Sequence, residues 1–150
     1  MTGNQSTRLI LVVEDSMDDY AAMQRAFTKA GLINPIVHCQ LGEEALDYLF
    51  ARNQFKDRGE LPALILLDLN LPGIDGFEVL KQVKSDPELR RIPVIVLTTS
   101  SDERDIARCY LSGANTYVCK PVDLSGLIRA VGELKQYWFE IAVLPRSNEA

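Results

Sequence analysis

The stretch ALILLDLNLPGIDGFEVL, residues 63–80, decides the fold. Its first five residues, Ala63 to Leu67, form an unbroken apolar run bounded by turn formers. Such a run reads as a strand buried on both faces, the pattern of a parallel sheet. The run ends directly in a carboxylate, Asp68, and the chain reverses at Pro72-Gly73 and again at Asp75-Gly76. From Phe77 the spacing changes, and Phe77, Leu80 and Val83 define one face of a helix that ends before Pro87. A charge at the end of a buried strand is costly to desolvate. Asp68 is therefore either the first solvated residue of a loop or one member of a site that neutralises it.

The same alternation runs outward in both directions. Strand-like segments lie at 8–13 (RLILVV), 35–39 (PIVHC), 63–67 (ALILL), 93–98 (PVIVLT) and 115–119 (NTYVC). Helices separate them. The first begins at Ser16, with Asp19 three residues on as in a capping box, carries Tyr20, Met23, Phe27 and Ala30 on one face, and stops at Gly31. The second follows Gly42 and buries Ala45, Leu46, Leu49 and Phe50; the fourth runs from SSDE to Gly113. The fifth follows Asp123, with Leu127, Val131, Leu134 and Trp138 as its stripe. Five strands alternating with five helices predict an α/β, doubly wound parallel sheet joined by right-handed crossovers. Residues 53–62 (NQFKDRGELP) form the one long polar connection, and no repeat or linker divides the chain, so residues 1–150 read as a single domain.

Composition narrows the function. A net charge of −5 argues against nucleic acid or an anionic membrane as partner. No apolar run reaches membrane-spanning length, and the polar start MTGNQSTR lacks the apolar core of a signal peptide, so the expected location is cytoplasmic. Cys39, Cys109 and Cys119 form no CxxC pair and read as small buried hydrophobes. His38 is the sole histidine, lies in a strand and reads as structural, which disfavours serine–histidine or cysteine–histidine catalysis.

The unusual polar residues fall at one edge. Glu14-Asp15 end the first strand, Asp68 the third, Thr98-Thr99-Ser100 the fourth and Lys120-Pro121 the fifth. Each alone reads as an ordinary loop residue, but the coincidence marks the edge of an open parallel sheet where ligands bind. Three carboxylates brought together repel one another unless some are protonated or a cation sits between them, and an all-oxygen set suits Mg2+. Lys120 adds a positive charge and Thr98 a hydroxyl, both suited to phosphoryl oxygens. No glycine-rich nucleotide loop is present.

In order along the chain, VVEDS, ILLDLNLPGIDGFE, PVIVLTTS and YVCKP resemble the signature of the receiver domains of bacterial two-component response regulators, over a core of about residues 8–138. The resemblance implies a receiver-like sheet of order 2-1-3-4-5. It implies Asp68 as phosphoacceptor from a sensor histidine kinase, with Mg2+ held by Glu14, Asp15, Asp68 and the backbone carbonyl of Asn70. Lys120 and Thr98 would bind the phosphoryl oxygens, and Tyr117 would be the aromatic switch coupled to Thr98. The peptide before Pro121 would be cis. The long connection before the third strand, the LTTS segment and the ending YWFEIAVLP resemble the single-domain regulators of bacterial phytochromes, implying a light-sensing kinase as partner.

Some positions depart from the family pattern. Against that pattern Glu14 stands where many receivers have Asp, so its longer side chain would set its carboxylate behind a water rather than on the metal; Thr99 stands where a small residue is common and would narrow access. Asn70 and Ser100 sit where phosphate lifetime is tuned. About a dozen residues follow the fifth helix, too few for a DNA-binding helix-turn-helix. The apolar extension 139–150 instead implies a homodimer contact, or folds back on its own domain. Met17, beside the acidic pair, is a candidate kinase contact. Two other functions share the residue set: a Mg2+-dependent aspartyl phosphohydrolase, for which Asn70 stands where a general acid would be expected, and a receiver fold that binds without being phosphorylated.

Overall fold

A computed structural model describes residues 7–146. The first residues of the polar N-terminal segment and residues 147–150 of the C-terminal extension lie outside the described residues. Five strands form one sheet: β1 Ile10–Val13, β2 Ile36–Cys39, β3 Leu64–Leu67, β4 Val94–Thr98 and β5 Thr116–Cys119. All neighbours pair in parallel, in the order β2-β1-β3-β4-β5 that the family resemblance implies. Helices α1 Met17–Lys29, α2 Gly42–Leu49, α3 Gly76–Ser85 and α4 Glu103–Leu111 connect them, and α5 Leu124–Lys135 follows β5. Short 3-10 turns at Asn53–Phe55 and Leu89–Arg91 shape the connections into β3 and β4.

The central strands explain themselves. β1, β3 and β4 are apolar on both faces and buried along their whole length, because helices cover both sides of the sheet. Alternate residues feed two cores. Leu11, Val13, Ile65, Leu67 and Val96 pack against α2 and α3, with Leu46, Leu49 and Leu80. Ile10, Val12, Leu64 and Leu66 pack against α1 and α5, with Phe27 and Val131. Each fully buried aliphatic side chain contributes about 1.5–3 kcal/mol of transfer free energy.

Capping follows the local chemistry. The Ser16 side chain accepts from the Asp19 N–H at 3.1 Å, and Asp75 accepts from the Glu78 N–H at 3.0 Å. Gly42 and Gly76 are close-approach glycines: a Cβ at Gly42 would stand 2.4 Å from the Ile74 carbonyl oxygen. These two contacts lock α2 and α3 to the loop that follows β3.

Several expectations are corrected. Ala30 and Phe50 terminate α1 and α2 as C-cap residues rather than lying within them. α5 gives way after Lys135 to a π-helical turn, Gln136–Ile141, so Trp138 stands beyond the regular helix, although it still packs on the second core. Cys39 and Cys109 are buried, which pushes their thiols up to about 12 and about 11, but Cys119 is exposed. β5 is an edge strand paired only with β4, so its residues are covered incompletely. The Lys120–Pro121 peptide is trans, the isomer that X–Pro bonds favour by about 0.5–1 kcal/mol, and no cis peptide occurs among the described residues.

The extension folds back in part. Leu144 is buried, and the Arg8 guanidinium donates to the Pro145 carbonyl at 2.8 Å, fastening the tail beside the start of β1. Tyr137, Ile141 and Val143 remain exposed.

Candidate functional site

The strand order reverses around β1 and β3, and the crevice lies beyond their carboxyl ends. The ladder itself carries the acids to that point. The Glu14 N–H donates to the Cys39 carbonyl at 3.0 Å, and the Asp68 N–H donates to the Val13 carbonyl at 3.1 Å. Each acid is thereby the next rung of the sheet, with its side chain over the edge. Carboxylate oxygens of Glu14, Asp15 and Asp68 lie within 4.8 Å of one another. This all-oxygen cluster fits a hard divalent cation, which takes oxygens from few protein ligands and retains waters.

Lys120 reaches the same point from the end of β5. Its backbone N–H donates to the Thr98 carbonyl at 2.6 Å, which fixes where its side chain starts. The ammonium then donates to three carboxylates: Glu14 Oε1, Asp19 Oδ2 at 3.0 Å and Asp68 Oδ2 at 3.3 Å. Burial works against that charge, but the Glu14 hydrogen bond and the negative charges of Asp68 and Glu14 outweigh it, holding the Lys120 pKa above its usual value. Glu14 is only 2% exposed, and burial pushes its carboxyl up, with Asp68 adding and Lys120 opposing. Its second oxygen accepts from the Ser16 N–H at 3.2 Å.

Thr98 ends β4 at the same level and is fully buried. Its Oγ1 has no hydrogen-bond partner, the one such side-chain atom among the described residues. An unpaired buried hydroxyl costs free energy, so its persistence points to a use. Asn70 is exposed, and its N–H donates to Asp68 Oδ1 at 3.3 Å. Thr99 is exposed at the mouth of the site.

Tyr117 is half-buried, and its hydroxyl donates to the Ser100 carbonyl at 2.9 Å. Ser100 Oγ in turn donates to Asp105 Oδ2 at 2.7 Å, linking the loop after β4 to the first turn of α4. The His38 ring stacks on Tyr20 at 3.6 Å between centroids, and Nε2 donates to the Glu14 carbonyl at 2.7 Å. Met17 is exposed at the start of α1, where Gln40 Nε2 donates to its sulfur at 3.2 Å.

Two residues of this arrangement escaped the sequence reading. Asp19 was legible only as a cap, yet its side chain holds Lys120; Asp105, on α4, anchors Ser100. The EDSMDD run does carry a signal, since Asp19 lies in the first turn of α1, four residues after Asp15 of the acidic pair.

Residues 10–132 match the sequence family described as the response regulator receiver domain. The chain is 43% identical over 130 residues to the probable methanogenesis regulatory protein FilR2 of Methanothrix harundinacea, covering 87% of this chain and 83% of that protein. It is 37% identical to the response regulator Rcp1 of Synechocystis sp. over 138 residues, covering 92% and 93% of the two. The Mn2+-bound structure of Rcp1 superposes with a TM-score of 0.85 at 37% identity, covering 92% of this chain and 99% of that one. The phosphorylated cyanobacterial phytochrome response regulator RcpA superposes with a TM-score of 0.86 at 40% identity, over 92% and 98% of the chains.

Proposed function

We propose that this chain, which belongs to the response regulator receiver domain family, accepts a phosphoryl group on Asp68 from a sensor histidine kinase. The observation that carries the proposal is Thr98 Oγ1: a fully buried, unpaired hydroxyl at the strand edge shared with Asp68 and Lys120. A site that left this donor unused would lose stability for nothing.

In the transfer, an Asp68 carboxylate oxygen attacks phosphorus, the bond from phosphorus to the kinase imidazole nitrogen breaks, and the electron pair returns to that ring. Lys120 and Thr98 receive the phosphoryl oxygens, and little covalent help beyond placement and charge is needed. Glu14, Asp15, Asp68 and the Asn70 carbonyl would hold a divalent cation, Mg2+ in the cell, which supplies positive charge against those oxygens. The phosphoryl group then draws Thr98, Tyr117 follows, and the Ser100–Asp105 link passes the change to α4. The only chemistry assigned to the chain itself is this transfer and slow loss of the phosphate to water. The similarity to phytochrome response regulators supports a light-sensing kinase as donor.

We read residues 8–138 as the core of a single receiver domain and 139–150 as an extension. Exposed Ile141 and Val143 on that extension, with exposed Tyr137 just before it, support self-association as part of the output. Among the described residues no helix is long and apolar enough to cross a membrane; with the acidic net charge this supports action in the cytoplasm, away from membranes and nucleic acid.

The test is incubation with Mg2+ and acetyl phosphate, with Asp68→Asn as control. At most one slowly lost, acid-stable and base-labile phosphate per chain, absent from the control, is expected. Rapid turnover of many phosphoesters would indicate a phosphohydrolase instead, and a folded but unlabelled chain would indicate a binding module.

A further inference from the structure

Lys120 engages two of the carboxylates that a cation needs. Its ammonium bonds Glu14 Oε1 and Asp68 Oδ2, and both residues belong to the three-carboxylate cluster. A divalent ion and an ammonium repel each other, so the two cannot share these carboxylates without cost. The ammonium needs an anionic partner outside the cluster, within reach without backbone movement. Asp19 meets that requirement. Its Oδ2 stands 3.0 Å from Lys120 Nζ, and its side chain is 47% exposed at the mouth of the crevice. It is not one of the three clustered acids. Its main chain is fixed, because its N–H donates to the Ser16 side chain in the first turn of α1.

We propose that Asp19 is a positioning residue: it holds the Lys120 ammonium when a divalent cation takes Glu14 and Asp68, and so sets cation affinity through Lys120. The inference rests on the cation-assisted reading of the site. It assigns to α1 a part in the chemistry beyond its structural one. Lys120 keeps one partner throughout, so its charge stays paired while two of its donors are released toward the incoming phosphoryl oxygens. Asp18, one residue earlier, carries the same charge in the same helical turn, is exposed and makes no contact with Lys120. It provides the control for long-range electrostatics.

The experiment is calorimetric titration of the full chain with Mg2+ alone, for the wild type, Asp18→Asn and Asp19→Asn, each also in a Lys120→Ala background. Circular dichroism verifies folding. Asp19→Asn is expected to weaken Mg2+ binding about fivefold, the scale of one part-exposed ion pair. Asp18→Asn is expected to weaken it by less than about twofold, since salt screens the more distant charge. The two substitutions become equal once Lys120 is gone, as the double-mutant cycle requires. Equal effects in the presence of Lys120, tighter binding by Asp19→Asn, or an Asp19 excess that persists without Lys120 would each overturn the role of Asp19. If Lys120→Ala does not fold, the comparison of Asp18→Asn with Asp19→Asn decides by itself. Absence of saturable Mg2+ binding by the wild type would instead overturn the cation reading of the whole site, a separate and recognisable result.

Discussion

Gly76 lies directly against the backbone of Asp68: a Cβ at position 76 would stand 2.3 Å from the Asp68 carbonyl oxygen and 2.6 Å from Leu69 Cα. The Gly76 N–H also donates to the Leu69 carbonyl at 3.0 Å, so the loop after β3 is folded onto the start of α3. The placement of the acid depends on a residue with no side chain, eight positions later.

Gly76→Ala should therefore be costly although alanine favours helices. The neighbouring atoms are backbone and cannot rotate away, so a loss of about 1–3 kcal/mol is expected. Urea denaturation would read it. Mg2+ affinity should fall as well, because the shift is transmitted to Asp68.

Thr98→Val should separate stability from signalling. The substitution removes a buried hydroxyl with no partner and keeps the shape. Stability should be unchanged or higher by up to about 1 kcal/mol. The response to phosphorylation, read as a change in Tyr117 fluorescence or NMR shift, should be lost.

Lys120→Met should make stability depend on metal. The ammonium is 9% exposed and lies among Glu14, Asp19 and Asp68, so its removal leaves buried acids without a counter-charge. Without metal a loss of about 3 kcal/mol is expected. Saturating Mg2+ should then raise Tm more in the variant than in the wild type, because stabilisation by an ion bound to the folded state grows with the logarithm of its affinity. An equal or smaller rise would contradict competition between Lys120 and the ion.

The extension offers a cleaner test than truncation. Cutting it would expose the surface that Leu144 covers and break the Arg8–Pro145 bond. Ile141→Glu with Val143→Glu alters exposed positions only. Analytical ultracentrifugation should show the wild type self-associating and the double variant monomeric, with unchanged Tm. Identical masses would remove the extension from the interface.

How far the chain could be read in advance varied with the physics involved. β1, β3 and β4 were legible because burial on both faces writes a continuous apolar run, and sheet order followed from the resemblance. The meeting of Glu14, Asp15, Asp68 and Lys120 at one edge was legible because strand ends need no side-chain detail. What stayed hidden depends on orientation between elements. Asp19 reads as a cap in one dimension; its contact with Lys120 exists only once α1 lies beside the end of β5. Cys119 reads as buried because an edge strand keeps the composition of a central one. Trp138 reads as helix because a π turn preserves apolar content while shifting its register.

The most direct measurement is to identify the residue that carries the phosphate. After treatment with acetyl phosphate and Mg2+, borohydride reduction converts an aspartyl phosphate to homoserine, which peptide mass spectrometry locates. The expected result is homoserine at position 68 alone, lost without Mg2+ and in Asp68→Asn. Homoserine at another acid, or none in a folded chain that binds Mg2+, would contradict the assignment of Asp68 as the phosphoacceptor.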